Sequence, residues 1–328
     1  MQLPEHHQLH LNRLSGIASP FWRELHEIVY RKHMAQEQLF SIVIPTYNRP
    51  ERLAICLQSI AQQNYPVDRF EVIVVDDGSE TPIEPVVASF RKQLNLTLLT
   101  QSNSGPANAR NNGATRAKGK FLVFTDDDCM PAPEWLKTLE ARFTQAPDCL
   151  IGGRTLNALP DNLYSTASQV LIDYLYEYYN ANRNRSSFFA SNNLALPAER
   201  FHALGGFDTT FPLAAGEDRE FCDRWLQYGH QMIYAPEAQV YHAHKLTLHS
   251  FWRQHYNYGR GAFCFHQVRA RRNMERIKVE PLSFYFNLLK YPFSQGTSQP
   301  ALAIAALFML SQAANLAGFF LETTSFPR

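Results

Sequence analysis

Five cysteines in 328 residues, scattered and without a CxxC pair, offer neither a disulfide framework nor a zinc or redox motif. That usage fits a reducing, cytoplasmic setting. The opening stretch MQLPEHHQLHLNRL has neither a basic start nor a continuous apolar run, so it does not read as a secretory signal. Neither sign of charge is in excess: a formal net charge of +1 removes the main reason to expect a nucleic-acid partner, because counterion-release binding needs a concentrated basic surface. There is no internal repeat and no low-complexity tract. No Gly-rich phosphate loop follows the first apolar run, where IPTYNRPERL stands instead. That absence argues against a dinucleotide-dependent dehydrogenase, and equally against a nucleotidyltransferase with a Gly-rich basic loop.

What is present is enough apolar residue, 45%, for one large or two ordinary domains. Ser19 before Pro20, with Phe21, Trp22, Leu25, Ile28 and Val29 on one face, predicts a helix in an N-terminal extension, residues 1–38. Short apolar runs then alternate with helical segments: SIVIP (41–45), FEVIVVD (70–76), LTLLT (96–100) and FLVFT (121–125). This rhythm predicts an α/β domain over 39–245 with a mostly parallel central sheet covered on both faces. LIGGR (150–154) reads as a further strand, 163–180 as a Tyr-rich helix, 188–197 as a strand leading to a turn, and 216–229 as a helix stopped by Gly229. Residues 246–328 read as a helical C-terminal region. Three of the runs end in polar clusters, and ligands of open α/β sheets bind beyond the carboxyl ends of strands, so these clusters should converge on one crevice.

The sharpest signal is FLVFTDDDCM, where four apolar residues run into three carboxylates. Two such charges ~4 Å apart at an effective dielectric of ~20 repel by ~4 kcal/mol, so positive charge is expected nearby. In extended backbone Asp126 and Asp128 would share a side and could chelate jointly, with Asp127 opposite. Oxygen ligands select hard cations such as Mg²⁺ or Mn²⁺, which keep open positions for substrate phosphates. A solvated turn would explain one acidic pair by itself. It explains less well the second pair in VIVVDDGSE, the Tyr and polar groups of TYNRPERL, and the Asn and Arg of SGPANARNNG.

SIVIPTYNR, VIVVDDGS, GPANARNNGA, FLVFTDDDC, GGFD and GEDREF stand in that order between residues 39 and 260. In that order they resemble the family 2 glycosyltransferases, inverting nucleotide-sugar enzymes of the GT-A fold. The resemblance implies that Pro45, Tyr47 and Asn48 border the nucleoside and that Asp77 reaches the base. It sets Arg110 and Asn111 close to the nucleotide and the sugar. Asp126 and Asp128 match the two acids of the DxD motif, which hold the diphosphate through Mn²⁺ or Mg²⁺, and Asp127 joins the donor-binding set. The general base is implied at Asp218, the second acid of GEDREF, although as bare sequence a carboxylate there reads as a helix cap. Glu217 could orient an acceptor hydroxyl or cap the same helix. Asn192 and Asn193 could meet donor sugar or acceptor, or hydrogen-bond internally. Relatives place a metal-binding His in this region, and here His242 is taken over His244 by a slight margin. The implied donor is a UDP-sugar, and the implied acceptor a saccharide or a lipid-linked one. The other reading is a nucleotide-sugar-binding or scaffold protein without turnover, against which Asp126, Asp128 and Asp218 argue.

FWRQHYNYGRGAF (251–263) departs from the QxxRW signature of processive synthases, which favours single-sugar transfer. The basic stretch 268–278 fits either a solvated helix face or attraction to anionic lipid or to an acceptor's phosphate. PALAIAALFMLSQAANLAGFFL (300–321) contains no charged residue and is long enough to cross ~30 Å of hydrocarbon. Ser311, Gln312 and Asn315 weaken that reading, and an interfacial helix or one packed on the protein fits as well. Membrane contact would put the protein at the cytoplasmic face.

Overall fold

The computed structural model describes residues 38–211, 215–273 and 280–325. The helix expected around Ser19, and residues 274–278 of the basic stretch, lie outside them. The strands are β1 (Phe40–Thr46), β2 (Phe70–Asp76), β3 (Leu96–Thr100), β4 (Phe121–Phe124), β5 (Cys129–Pro131), β6 (Leu150–Asn157), β7 (Leu194–Pro197) and β8 (Met232–His242). They form one mixed sheet in the order β3-β2-β1-β4-β7-β6-β8-β5. The strands from β3 to β4 pair in parallel, β7 runs antiparallel to both β4 and β6, β6 and β8 are parallel, and β5 is antiparallel to β8.

β1, β2 and β4 are buried on both faces, which is why they read as unbroken apolar runs. The two-residue period of a strand divides their side chains between two cores. Ile42, Ile44, Val72, Val74 and Val123 pack with Leu53, Leu57 and Ile60 of α1 (Pro50–Ala61), Val87 of α2 (Glu84–Phe90), and Leu136 and Leu139 of α4 (Trp135–Gln145). Val43, Ile73, Val75, Leu122 and Phe124 face Ala109 and Ala114 of α3 (Pro106–Arg116). On that face they also meet Phe201 of α6 (Ala198–Ala203) and Phe221 and Trp225 of α7 (Glu217–Gln227). Between β6 and β7 in sequence lies α5 (Leu163–Tyr179), the expected Tyr-rich helix.

β8 is the strand that sequence patterning did not announce. Pro236 in its middle reads as a strand breaker. The structure accommodates it at an irregularity: Gly153 pairs with Ala235, while the next residue, Arg154, pairs with Gln239. The displaced residues bend the strand, and its end at His242 pairs with Cys129, immediately after the acidic cluster.

The C-terminal region is helical, with α8 (Leu248–Asn273), α9 (Leu282–Lys290) and α10 (Ala301–Ser325). α10 lies along α8 at close range: a Cβ on Gly259 would overlap the Asn315 carbonyl, and one on Gly318 would overlap that of Tyr256. Arg260 Nε meets the buried Glu322 at 2.5 Å across the same seam. The apolar segment is therefore a packed helix on one side. On the other, Leu302, Met309, Leu316, Phe320 and Leu321 remain 53% to 74% exposed.

Close packing of α3 on the sheet depends on Gly113, whose added Cβ would overlap Val43 Cγ1 and lie 3.0 Å from Val75 Cγ2. Overpacking of this kind costs ~1–3 kcal/mol. Gly113→Ala should lower the thermal unfolding midpoint while Ala at the open Gly296 position should leave it nearly unchanged, as checked by circular dichroism melts.

Candidate active site

The register of the sheet brings the polar clusters together. Thr46 is opposite Asp76 at the end of β1 and β2, Val43 opposite Phe124, and Phe124 opposite Leu194. Residues 46–48, 76–79, 126–128 and 191–193 therefore share one end of the sheet. Across the β1–β4 boundary Thr46 Oγ1 donates to Asp127 Oδ2 at 2.8 Å.

The acidic cluster does not continue the strand. A turn forms in which the Cys129 N–H donates to the Asp126 carbonyl at 3.1 Å, and the three carboxylates fan out instead of alternating. Asp126 turns to Arg110, 2.7 Å from Nη2. Asp127 takes the Thr46 hydroxyl and Arg49 Nη1, the latter at 3.2 Å. Asp128 faces His242 Nε2 at 3.1 Å, His244 Nδ1 at 3.4 Å and Arg52 Nη1 at 3.1 Å. The joint chelation by Asp126 and Asp128 drawn from extended geometry is not what the turn sets up. The three arginines are the positive charge that the sequence demanded. Arg49 and Arg52 are legible in TYNRPERL only once α1 is seen to begin there, with Pro50 fixing its first turn.

Asp128, His242 and His244 bring one potential ligand atom each to within 4.8 Å of one another. Both histidines converge, so the choice of His242 over His244 dissolves. The cause is the β5–β8 pairing, reinforced by the Ala243 N–H donating to the Asp128 carbonyl at 2.8 Å. A carboxylate with two imidazoles fits Mn²⁺ better than Mg²⁺, which prefers oxygen alone. Burial works against the charge on Asp128, yet hydrogen bonds from the two histidines hold its carboxyl well below the usual range. Burial pushes Asp127 up to about 6, against the pull of Arg49.

Arg110 joins the two halves of the site. Only 4% exposed, it reaches Asp126 with Nη2 and Glu217 Oε1 with Nη1 at 3.3 Å, with the Phe207 ring centroid 5.9 Å from its guanidinium carbon. Gly216, at φ +96°, turns the chain into α7 and presents Glu217 and Asp218 at its start. Asp218 Oδ1 accepts from the Arg219 N–H at 2.7 Å. Burial raises both carboxyls, and the neighbouring Asp218 adds to the cost of ionising Glu217, which rises to about 7 despite Arg110.

Other expected residues sit as follows. Tyr47 is 44% exposed at the crevice, and Pro45 is half-buried beside it. Asn48, at φ +54°, laces this loop to the next: its N–H donates to Ser79 Oγ and its Oδ1 accepts from the Glu80 N–H, both at 2.8 Å. Asp77 accepts from Gln101 Nε2 and from the N–H groups of Ser104 and Gly105, bracing the loop into α3. A carboxylate has about four acceptor positions, so about one remains, on Oδ2. Asn111 clamps the backbone of Phe207, donating to its carbonyl at 2.8 Å and accepting from its N–H at 2.9 Å. Successive helical residues face different ways, so Arg110 enters the site and Asn111 does not. Asn193 is likewise consumed internally by Trp135 Nε1 and the carbonyls of Arg154 and Ala238. Asn192 accepts from Thr155 Oγ1 at 3.3 Å. Tyr258 of α8 escaped the sequence reading. Burial, with Asp218, Glu217 and Asp126 close by, pushes its hydroxyl up to about 12, and Gln254 Nε2 donates to it at 2.8 Å.

A carboxyl raised by folding makes the folded state hold a proton that the unfolded chain releases. Its contribution to stability is present below the unfolded value and is lost as pH rises through the folded one. For Glu217 that window runs from about 4.5 to about 7. The thermal midpoint should fall across this window, and Glu217→Gln should flatten the fall, as read from melts at stepped pH.

Residues 41–201 match the family model described as glycosyl transferase family 2. The chain is similar to the hyaluronan synthase of Pasteurella multocida, 31% identical over 224 residues that cover 58% of this chain and 23% of that protein. It is also similar to the chondroitin synthase of Escherichia coli, 30% identical over 237 residues covering 62% and 34%. The match thus spans a quarter to a third of these relatives' length. Among solved structures, a mannosyltransferase from Pyrobaculum calidifontis in complex with GDP-Man and Mn2+ shares the fold, with a TM-score of 0.57 at 22% identity over 87% of this chain and 79% of that one. From the motifs at its strand ends and these likenesses, residues 41–201 of this chain form a glycosyltransferase family 2 domain.

Proposed function

We propose that this protein transfers one sugar from a nucleotide-diphosphate sugar, a UDP-sugar, to a saccharide or lipid-linked acceptor with inversion at the anomeric carbon. The observation that carries the reading is Arg110, which ties the acidic turn after β4 to the acids that open α7. A donor held at the turn then lies beside Asp218. Tyr47 offers an exposed ring to the base, and the free acceptor position on Asp77 suits a base N–H. Asp128, His242 and His244 would hold Mn²⁺, which supplies charge stabilisation to the departing diphosphate.

The chemistry asked of the chain is one displacement. The acceptor hydroxyl oxygen bonds to the anomeric carbon as the bond from that carbon to the diphosphate oxygen breaks, and the hydroxyl proton passes to Asp218. The nucleoside diphosphate leaves with the bonding pair. Arg110 keeps Asp126 and Glu217 in place, and burial raises the proton affinity of Asp218 above that of an ordinary aspartate. Single transfer is favoured because Gln254 is followed by His255, Tyr256 and Asn257.

Asp218→Asn should retain nucleotide affinity within about twofold and lose transfer by at least about a hundredfold, the range of a general base. Asp128→Ala and His242→Ala should instead weaken Mn²⁺-dependent nucleotide binding. Full activity in Asp218→Asn, measured as nucleotide release from a panel of UDP- and GDP-sugars, would remove Asp218 from its role.

We place the protein at the cytoplasmic face of a membrane, lying on it through the outer face of α10. Support comes from the exposed Leu302, Met309, Leu316, Phe320 and Leu321 of that helix, with the exposed Leu282 and Phe286 of α9 nearby in sequence and Lys290 Nζ 4.1 Å from the Phe286 ring centroid. The inner face, holding Glu322 and Ser311 against protein, suits an in-plane helix better than a span. Arg271, exposed at the end of α8, would add attraction to anionic lipid. Wild-type protein should sediment with vesicles containing anionic lipid, and a Leu316→Glu, Phe320→Glu double variant should stay in the supernatant; equal sedimentation of both would refute this face.

A further inference from the structure

Arg49 and Arg52 stand at the start of α1 with side chains 46% and 36% exposed, whereas Asp127 and Asp128, which they reach, are each 3% exposed. Arg52 Nη1 lies 3.1 Å from Asp128 Oδ2, and Arg49 Nη1 lies 3.7 Å from the same atom. That oxygen also lies 3.4 Å from His244 Nδ1. One oxygen thus serves both the arginines and the cluster of candidate ligands. A divalent cation bound to Asp128 would set like charge against both guanidiniums, and at such range that repulsion is large.

The surrounding structure lets the guanidiniums turn without loss elsewhere. The backbone before α1 is pinned by Asn48 to Ser79 and Glu80, so movement is confined to the side chains. Asp127 keeps the Thr46 hydroxyl as a partner, and at Asp128 the cation itself takes the place of the arginines. Swung outward, the guanidiniums remain tethered at the mouth of the crevice, and their planar fork matches phosphate oxygens.

We propose that Arg49 and Arg52 are exchangeable counter-charges, neutralising Asp127 and Asp128 in the metal-free protein and turning to the donor's diphosphate once a divalent cation takes Asp128. The proposal rests on the metal and nucleotide reading given above. It makes cation and nucleotide binding mutually reinforcing, and by linkage each raises the affinity for the other by the same factor.

The test is calorimetric titration of the whole chain with Mn²⁺ alone, with UDP or GDP alone, and with each in the presence of the other. Wild type is compared with Arg52→Gln and with the Arg49→Gln, Arg52→Gln double variant. Thermal melts confirm folding, and the single variant carries the test if the double one does not fold. Removing the arginines should tighten Mn²⁺ binding without nucleotide several-fold and weaken nucleotide binding with Mn²⁺ by about tenfold, shrinking the coupling factor. Arg52→Lys, which keeps charge but not the fork, should fall between. Unchanged or weakened Mn²⁺ affinity in folded variants would overturn the exchange while leaving the site reading intact. Wild type that binds neither Mn²⁺ nor nucleotide would overturn that reading, and the exchange with it.

Discussion

The site is organised around a guanidinium with almost no access to water. Arg110 pairs with Asp126 at the end of β4 and with Glu217 at the start of α7, two residues far apart in the chain. Burying the Arg110 guanidinium alone would cost several kcal/mol, so it is tolerable only because Asp126 and Glu217 are placed against it. The consequence is geometric. The acidic turn and the acids of α7 cannot drift apart without exposing a buried charge, and a reaction that needs both sets of groups gains a fixed separation. Arg110 itself is held by α3, whose packing on β1 and β2 is close enough to require Gly113.

The same logic runs through the rest of the acidic turn. Three carboxylates in succession meet three arginines, and two of them have a second partner: the Thr46 hydroxyl for Asp127 and the two histidines for Asp128. Neutralisation by exposed side chains differs from neutralisation by a buried one. Arg110 has nowhere else to go, whereas Arg49 and Arg52 reach in from the surface. A binding site for a cation and an anionic substrate benefits from that difference, because the pairs at the mouth can be replaced while the one beneath stays.

The helical C-terminal region belongs to the same body as the sheet. α8 passes the Gly216 turn so closely that a Cβ on Gly261 would overlap the Ala215 carbonyl, and it carries Tyr258 to the wall of the crevice. α10 packs along α8, so its exposed apolar face and the turn into α7 are connected through one helix. A surface that seats the protein on an apolar medium would also orient the crevice relative to it.

Much of this was legible in the chain. Runs such as FEVIVVD are apolar throughout because both faces of their strands are covered, and that pattern alone gives a layered α/β sheet with polar clusters at common strand ends. The six ordered motifs gave the family, and the acidic run announced its need for positive charge. What sequence could not give were facts of register and rotation. His244 joins His242 because β8 bends around Pro236 and pairs with β5. Asn111 and Asn193 leave the site because neighbouring residues of one motif point to different places. The three Asp residues fan out because the strand ends in a turn. Local pattern determined which elements form and what chemistry they carry; only the packed structure decided which side chains meet, because those contacts join residues as far apart as Arg110 and Glu217, whose separation along the chain leaves no trace in local spacing.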